Sequence, residues 1–189
     1  MKKVLILYGW HASPSPHWQD WLARELVSRG YIVAFPQLSD PLEPKKEQWL
    51  CEARELIDEL KPDIVICHSL GNILWWHLCN EGLSLHVRRL LMVAPPRDLR
   101  EYREIASFFP VEIPKNLFTK ESLLVTSDDG PYLNKLEGIR FARALNVKHK
   151  VFQNMGHINT ESGFGAWPWV LEWVESQKKR PEREKCSNF

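Results

Sequence analysis

The sequence predicts an α/β fold in one domain, with a six-stranded, mainly parallel sheet and helices on both faces. Three observations lead there: short apolar runs of strand length recur along the chain, stretches with helical spacing of apolar residues fall between them, and glycine or proline separates the two kinds of segment. Apolar strands alternating with helices imply a parallel sheet covered on both sides. Residues 4–8 form the first run, and a helix follows at 17–29, where Trp18, Trp21, Leu22 and Leu26 share a face and Gly30 ends it. A second strand is expected at 31–35. Residues 45–60 repeat the helical period through Trp49, Ala53, Leu56, Ile57 and Leu60, and Lys61-Pro62 breaks it. The third strand, 64–68, leads through a turn to a helix at 72–80. Strands at 90–94, 122–126 and 148–152, with helices near 132–145 and 166–176, complete the alternation.

Size and composition limit what such a chain can do. At 189 residues and 44% hydrophobic, it has material for one well-buried core, placed at 1–176, followed by a charged tail at 177–189 around Pro181. With 25 Lys plus Arg against 24 Asp plus Glu, the overall charge gives no footprint for nucleic acid or an anionic membrane, and neither partner is expected. Cys51, Cys67, Cys79 and Cys186 include no Cys-x-x-Cys pair, so neither a disulfide framework nor a zinc site is indicated, and a reducing cytoplasm is expected. The apolar run behind Met1-Lys2-Lys3 is too short for a signal peptide, and none reaches the roughly 18 residues of a membrane helix. His77, His86 and His149 lack ligand spacing, and no metal or cofactor is expected.

The chemistry concentrates where the strands end. Ile64 to Cys67 stops at His68-Ser69-Leu70-Gly71, a strand, turn and helix with Ser69 at the apex. Such a turn lifts a hydroxyl out of the sheet and presents helix N–H groups to a developing negative charge. Taken alone, it fits a serine that merely caps the helix equally well. Two further groups decide between these readings. Asp128-Asp129 follows the fifth strand and His157 follows the sixth, so three residue types of acyl-transfer chemistry sit at strand carboxyl ends in the order Ser, Asp, His. That is the order of the α/β-hydrolase fold. Ser69 is then the nucleophile and His157 the base. Asp129 is the carboxylate that fixes the imidazole, with Asp128 in the same loop as the alternative. Backbone N–H groups of Leu70 and Trp10 are the expected oxyanion donors, with Gly9 permitting a close approach.

The elbow Cys67-His68-Ser69-Leu70-Gly71, Tyr8-Gly9-Trp10 with His17-Trp18, Asp40-Pro41-Leu42, Gln48-Trp49-Leu50, Ser127-Asp128-Asp129 and Gly156-His157-Ile158-Asn159 resemble the small serine hydrolases related to retinoblastoma-binding protein nine. The resemblance extends to about Glu175. It implies a compact α/β-hydrolase, a triad on Ser69, His157 and Asp129, and a carboxylesterase-like activity, without implying a substrate. Two departures stand out: Cys67 fills a position commonly held by glycine or alanine, and Gly130 separates the acid loop from Pro131. Cys67 predicts some local adjustment of the elbow.

Hydrolases of this fold often carry a cap between the fourth and fifth strands, and residues 95–120 leave room only for a minimal lid with a short helix near 104–109. Trp10 and either Phe108 or Phe109 are the aromatics expected to reach the site; His11 is placed to contact substrate, and His68 is expected to point away. Of the nine tryptophans, most are expected in the core, with one of Trp75 and Trp76 facing the sheet. The chain thus reads as a cofactor-independent serine hydrolase of small esters. An acyltransferase or thioesterase shares the same acyl-enzyme, and a protein-binding module with an idle triad is the rival from another class.

Overall fold

Alternation along the strands decides where the helices go. In β1 (Lys3–Leu7), Val4 and Ile6 face one side of the sheet and Leu5 and Leu7 the other; in β3 (Ile64–His68), Ile64 and Ile66 join the first pair, Val65 and Cys67 the second. The first side is covered by α1 (Trp18–Ser28) and α5 (Pro168–Glu175) through Trp18, Leu22, Leu26, Val170 and Val174. The second is covered by α2 (Lys46–Leu60), α3 (Leu70–Glu81) and α4 (Lys135–Leu145). These relations come from a computed structural model that describes residues 1–84 and 86–176; the tail expected at 177–189 lies outside the described residues.

With β2 (Ile32–Ala34), β4 (Val87–Val93), β5 (Thr119–Ser127) and β6 (Lys148–Phe152), the sheet has six strands in the order β2-β1-β3-β4-β5-β6. Every neighbouring pair is parallel, and Ile66 stands between Ile6 and Leu91. The chain leaves β1 toward β2 on one side and returns to β3 on the other. The loops after β1 and β3 therefore part at a topological switch point, where a crevice opens at the carboxyl edge.

Three expectations change in detail. Helix α3 begins at Leu70, immediately after Ser69. Trp75 and Trp76 are both fully buried, since α3 packs beside its neighbours on the same face of the sheet and Trp76 meets Phe141 of α4 edge-on at 5.2 Å. The lid holds only a 3₁₀ turn, Ala106–Phe108, and it is pinned inward: Phe108 packs on Trp49, and the His77 ring donates from Nε2 to the Phe108 carbonyl at 2.8 Å. No described helix is long and apolar enough to cross a membrane.

Candidate active site

Ser69 carries the backbone cost of the elbow. Its φ of 51° with ψ of −125° lies where side chains are rarely tolerated, and such strain persists only when the surroundings impose it. The imposing contacts are identifiable. Ser69 N–H donates to the Val93 carbonyl at 3.0 Å, and the fully buried Asn72 amide donates to the carbonyls of Ser69 and Val93, each at 2.9 Å. A Cβ on Gly71 would lie 2.6 Å from the Leu7 and Tyr8 carbonyl oxygens, so only glycine lets α3 start this close to β1. Cys67, by contrast, is accommodated in the core with the strands in regular register, so the adjustment expected at Cys67 falls on Ser69 instead. The Ser69 side chain forms no capping bond with α3, which removes the helix-cap reading.

The freed hydroxyl meets His157, whose Nε2 is 2.9 Å from Ser69 Oγ. His157 lies on the loop after β6, and both sides of that loop are held by hydrogen bonds. From β5 and its turn, three consecutive residues accept three backbone N–H groups. Asn154 donates to Asp128 Oδ1 at 2.9 Å, Met155 to Ser127 Oγ at 2.8 Å and Gly156 to Asp129 Oδ1 at 2.8 Å. On the other side, the carbonyls of His157 and Ile158 accept from the His68 ring at 2.9 Å and from the Trp18 indole at 2.8 Å. His157 is thus positioned mainly through its own backbone and that of its neighbours.

Asp129 differs from its expected role as a buried partner of the imidazole. It is exposed, and its Oδ1 is engaged by the Ser127 hydroxyl and the Gly156 N–H; both bonds favour the carboxylate and hold it below the usual range, the Ser127 bond more strongly. Among the described residues, neither Asp129 nor Asp128 hydrogen-bonds the His157 ring. Asp129 is two residues from Ser127 and faces the Gly156 N–H, and these local donors orient its carboxylate through Oδ1.

Behind His157 lie two further histidines. His68 is buried with its ring centroid 5.0 Å from that of His157, and His17 is 5.2 Å from His68. Burial pushes His157 well below the ordinary imidazole value, with His68 and His17 adding to the effect. Burial also pushes His68 down to about 4, against the bond to the His157 carbonyl, and His17 down to about 3, with His68 contributing. All three rings are therefore neutral at pH 7. Because a carbonyl only accepts, His68 carries its proton on Nε2. His17 accepts the Gln19 N–H at Nδ1 and caps α1. Sequence reading set His68 aside and gave His17 no role beyond its place in the resemblance. Its proximity to Ser69 along the chain was the only signal available, since the carbonyl it holds is 89 residues away.

A cavity of about 330 Å³ opens over Ser69, lined on one side by Trp10, His11 and Leu70 and on the other by Tyr132 and His157. Leu99 and Ile105 supply its apolar wall from the lid, while Phe108 and Phe109 pack in the core rather than reaching the site. Tyr132 stands edge-on to the His157 ring at 4.7 Å. The Trp10 indole donates to the Leu42 carbonyl at 2.8 Å, anchoring its loop. Among the described residues, neither the Trp10 nor the Leu70 N–H is bonded to another backbone carbonyl outside the regular elements. Gly9 backs directly onto the hydroxyl: a Cβ there would lie 2.6 Å from Ser69 Cβ and 3.0 Å from Ser69 Oγ and Leu70 N. Among the described residues, no three His, Cys, Asp or Glu side chains gather as metal ligands.

Known proteins share this arrangement of strands and helices. The structure of the ydeN gene product of Bacillus subtilis superposes with a TM-score of 0.82 at 21% identity, covering 93% of this chain and 97% of that one. In sequence, YdeN of Bacillus subtilis (strain 168), named as a hydrolase, is 32% identical over 71 residues, or 37% of each chain. The esterase domain of a Rhodothermus marinus protein gives a TM-score of 0.63 at 16% identity, covering 92% of this chain and 84% of that one. At such identities the structural likeness is one of fold. The sequence match goes further: with the serine of a strained elbow against a buried imidazole, and with the model of the family described as Serine hydrolase matching residues 4–176, the chain belongs to the serine hydrolase family.

Proposed function

We propose that the protein hydrolyses small carboxylic esters through an acyl-enzyme on Ser69. The observation that carries this reading is the 2.9 Å contact between Ser69 Oγ and His157 Nε2 at a constrained turn. A hydroxyl is a weak nucleophile at neutral pH, and His157, kept neutral by burial, takes its proton as Oγ bonds the carbonyl carbon. The carbonyl oxygen becomes an oxyanion, to which the Trp10 and Leu70 N–H groups donate. His157 then gives the proton to the departing alkoxide as the C–O bond breaks, leaving the acyl group on Ser69. Water enters by the same route and bonds the acyl carbon while passing a proton to His157; the bond from Ser69 Oγ to that carbon then breaks, His157 returns the proton to Oγ, and the acid leaves. Asp129 is the third member: its charge sits at the Gly156 N–H, next to the base, where it fixes the loop and favours the imidazolium. Asp128, bonded to Asn154, lies farther along the loop.

The cavity supports small, uncharged or cationic esters. Its lining includes one formal charge, the Glu161 carboxylate, and neither Lys nor Arg, so a carboxylated substrate would meet repulsion without compensation. The cysteines among the described residues, Cys51, Cys67 and Cys79, are free thiols, which supports a reducing, cytoplasmic setting. A fluorophosphonate probe tests the reading: it labels the wild type and fails on Ser69→Ala. Folded wild type that resists the probe would replace this reading with a non-catalytic binding module. Matched acetyl to decanoyl oxygen esters and thioesters then measure chain length and leaving group, with short oxygen esters expected to be preferred.

A further inference from the structure

The amino edge of the sheet, opposite Ser69, holds a second and larger cavity of about 510 Å³. Five cationic side chains line it: Lys2 beside β1, Arg88 and Arg89 on β4, Lys120 on β5 and Lys148 on β6. Two carboxylates accompany them, and both are already engaged: Asp63 accepts the Lys3 N–H, and Glu121 lies 3.4 Å from Arg89 Nε. We propose that this cleft is a binding site for a soluble polyphosphate group.

The ordinary explanation for cations at this edge is the helix macrodipole, because helices antiparallel to the strands end here with their carbonyls exposed. It accounts for Arg89, which donates to the Trp173 carbonyl at 2.5 Å and lies over the Trp173 ring at 4.0 Å. It does not account for Lys2, Arg88, Lys120 or Lys148, which among the described residues pair with no carboxylate within ion-pair distance. The crowding of cations is visible at Lys2, whose ammonium is pushed below its usual value first by burial and then by Arg88 and Arg89, with Asp63 opposing them.

Geometry selects the class of anion. From β1 to β6 the sheet advances four strands, so the charges are spread over roughly 19 Å at the usual strand spacing. A single phosphate or sulfate meets only part of that row, whereas linked phosphates lay one charge after another along it. Ser122, Asn146 and Ser176 add hydrogen-bonding groups to the lining.

Titration calorimetry with inorganic tripolyphosphate on the full chain at low salt tests the site. The expected result is saturable one-to-one binding that weakens as salt rises. Lys120→Glu combined with Lys148→Glu, both exposed positions, should weaken it by about tenfold or more. Arg88→Gln provides a milder second variant, and Ser69→Ala should bind as the wild type does. Absence of binding at low salt, or binding undiminished by the charge reversals in protein that melts normally, overturns the proposal. Sedimentation with phosphatidylcholine vesicles carrying phosphatidic acid separates the lipid source of the same chemistry. Vesicle binding without tripolyphosphate binding would also overturn it, in favour of a membrane surface.

Discussion

The two edges of one sheet treat charge in opposite ways. At the carboxyl edge, Ser69, His11, Ala12, Asn154 and Ile158 all adopt positive φ, and the three histidines around the nucleophile are held neutral by burial. At the amino edge Lys61, Phe118 and Asn146, each shortly before a strand, also adopt positive φ, but the side chains gathered there are long and charged. The difference lies in what the strained residue carries. At the carboxyl edge it is Ser69, whose hydroxyl meets an imidazole and whose surroundings are held by Asn72, His68, Trp18 and the Ser127 to Asp129 turn.

The harshest test of that division is removal of the nucleophile. Ser69→Ala should lower kcat for p-nitrophenyl acetate by on the order of 10⁶ while melting like the wild type. Retained turnover would move the chemistry elsewhere. Next comes the close approach at Gly9: with Cβ forced to within 2.6 Å of Ser69 Cβ, Gly9→Ala should cost on the order of 10² or more in kcat/KM, with the helical content unchanged by circular dichroism. Asp129→Asn should also cost about 10² in kcat, and more than Asp128→Asn. A loss near 10⁴, as when an acid bonds the imidazole directly in a triad, would instead show the carboxylate turning to His157 during reaction. His68→Ala should lower kcat by about tenfold by leaving the His157 carbonyl unpaired. His68→Gln, which keeps an N–H donor, should recover most of the loss if the role is positional.

The smallest effect is thermodynamic. His68 and His17 bind protons less readily folded than unfolded, because burial lowers them to about 4 and about 3 from 6.5. The unfolded chain therefore takes up more protons below pH 6.5, and stability, fully present above that pH, should decline as pH falls toward 4 and then 3. Denaturant midpoints from pH 7 to 4 measure this, and His68→Gln should flatten the slope. Activity should follow the same sign, with the acid limb of kcat/KM below pH 6.5 because burial lowers His157 as well.

Much of this molecule is legible from periodicity. The six strands and five α-helices fall close to where apolar spacing and breakers place them, most clearly for the central β1 and β3, which are buried on both faces and therefore read as continuous apolar runs. The placement of Ser69 and His157 each just beyond the carboxyl end of a strand follows from the same alternation. The aromatic and acid assignments are less legible. A lid position makes either Phe108 or Phe109 a candidate for the site, yet with a single 3₁₀ turn there both are buried in the core. Asp129 was matched to the imidazole by residue type, yet the Ser127 hydroxyl and Gly156 N–H reach it first.

The sequence by itself determined the alternation of elements, the strand ends and the order Ser69, Asp129, His157, since these depend on local periodicity and on chain order. Only the tertiary structure decided how the site is held. The bonds from His68 to the His157 carbonyl, from Trp18 to Ile158 and from Asn72 to Val93, and the clearance at Gly9, join segments far apart in sequence, so no local pattern encodes them. Net charge hid the cationic cleft for a similar reason: composition sums over the whole surface, while the fold gathers five cations at one edge.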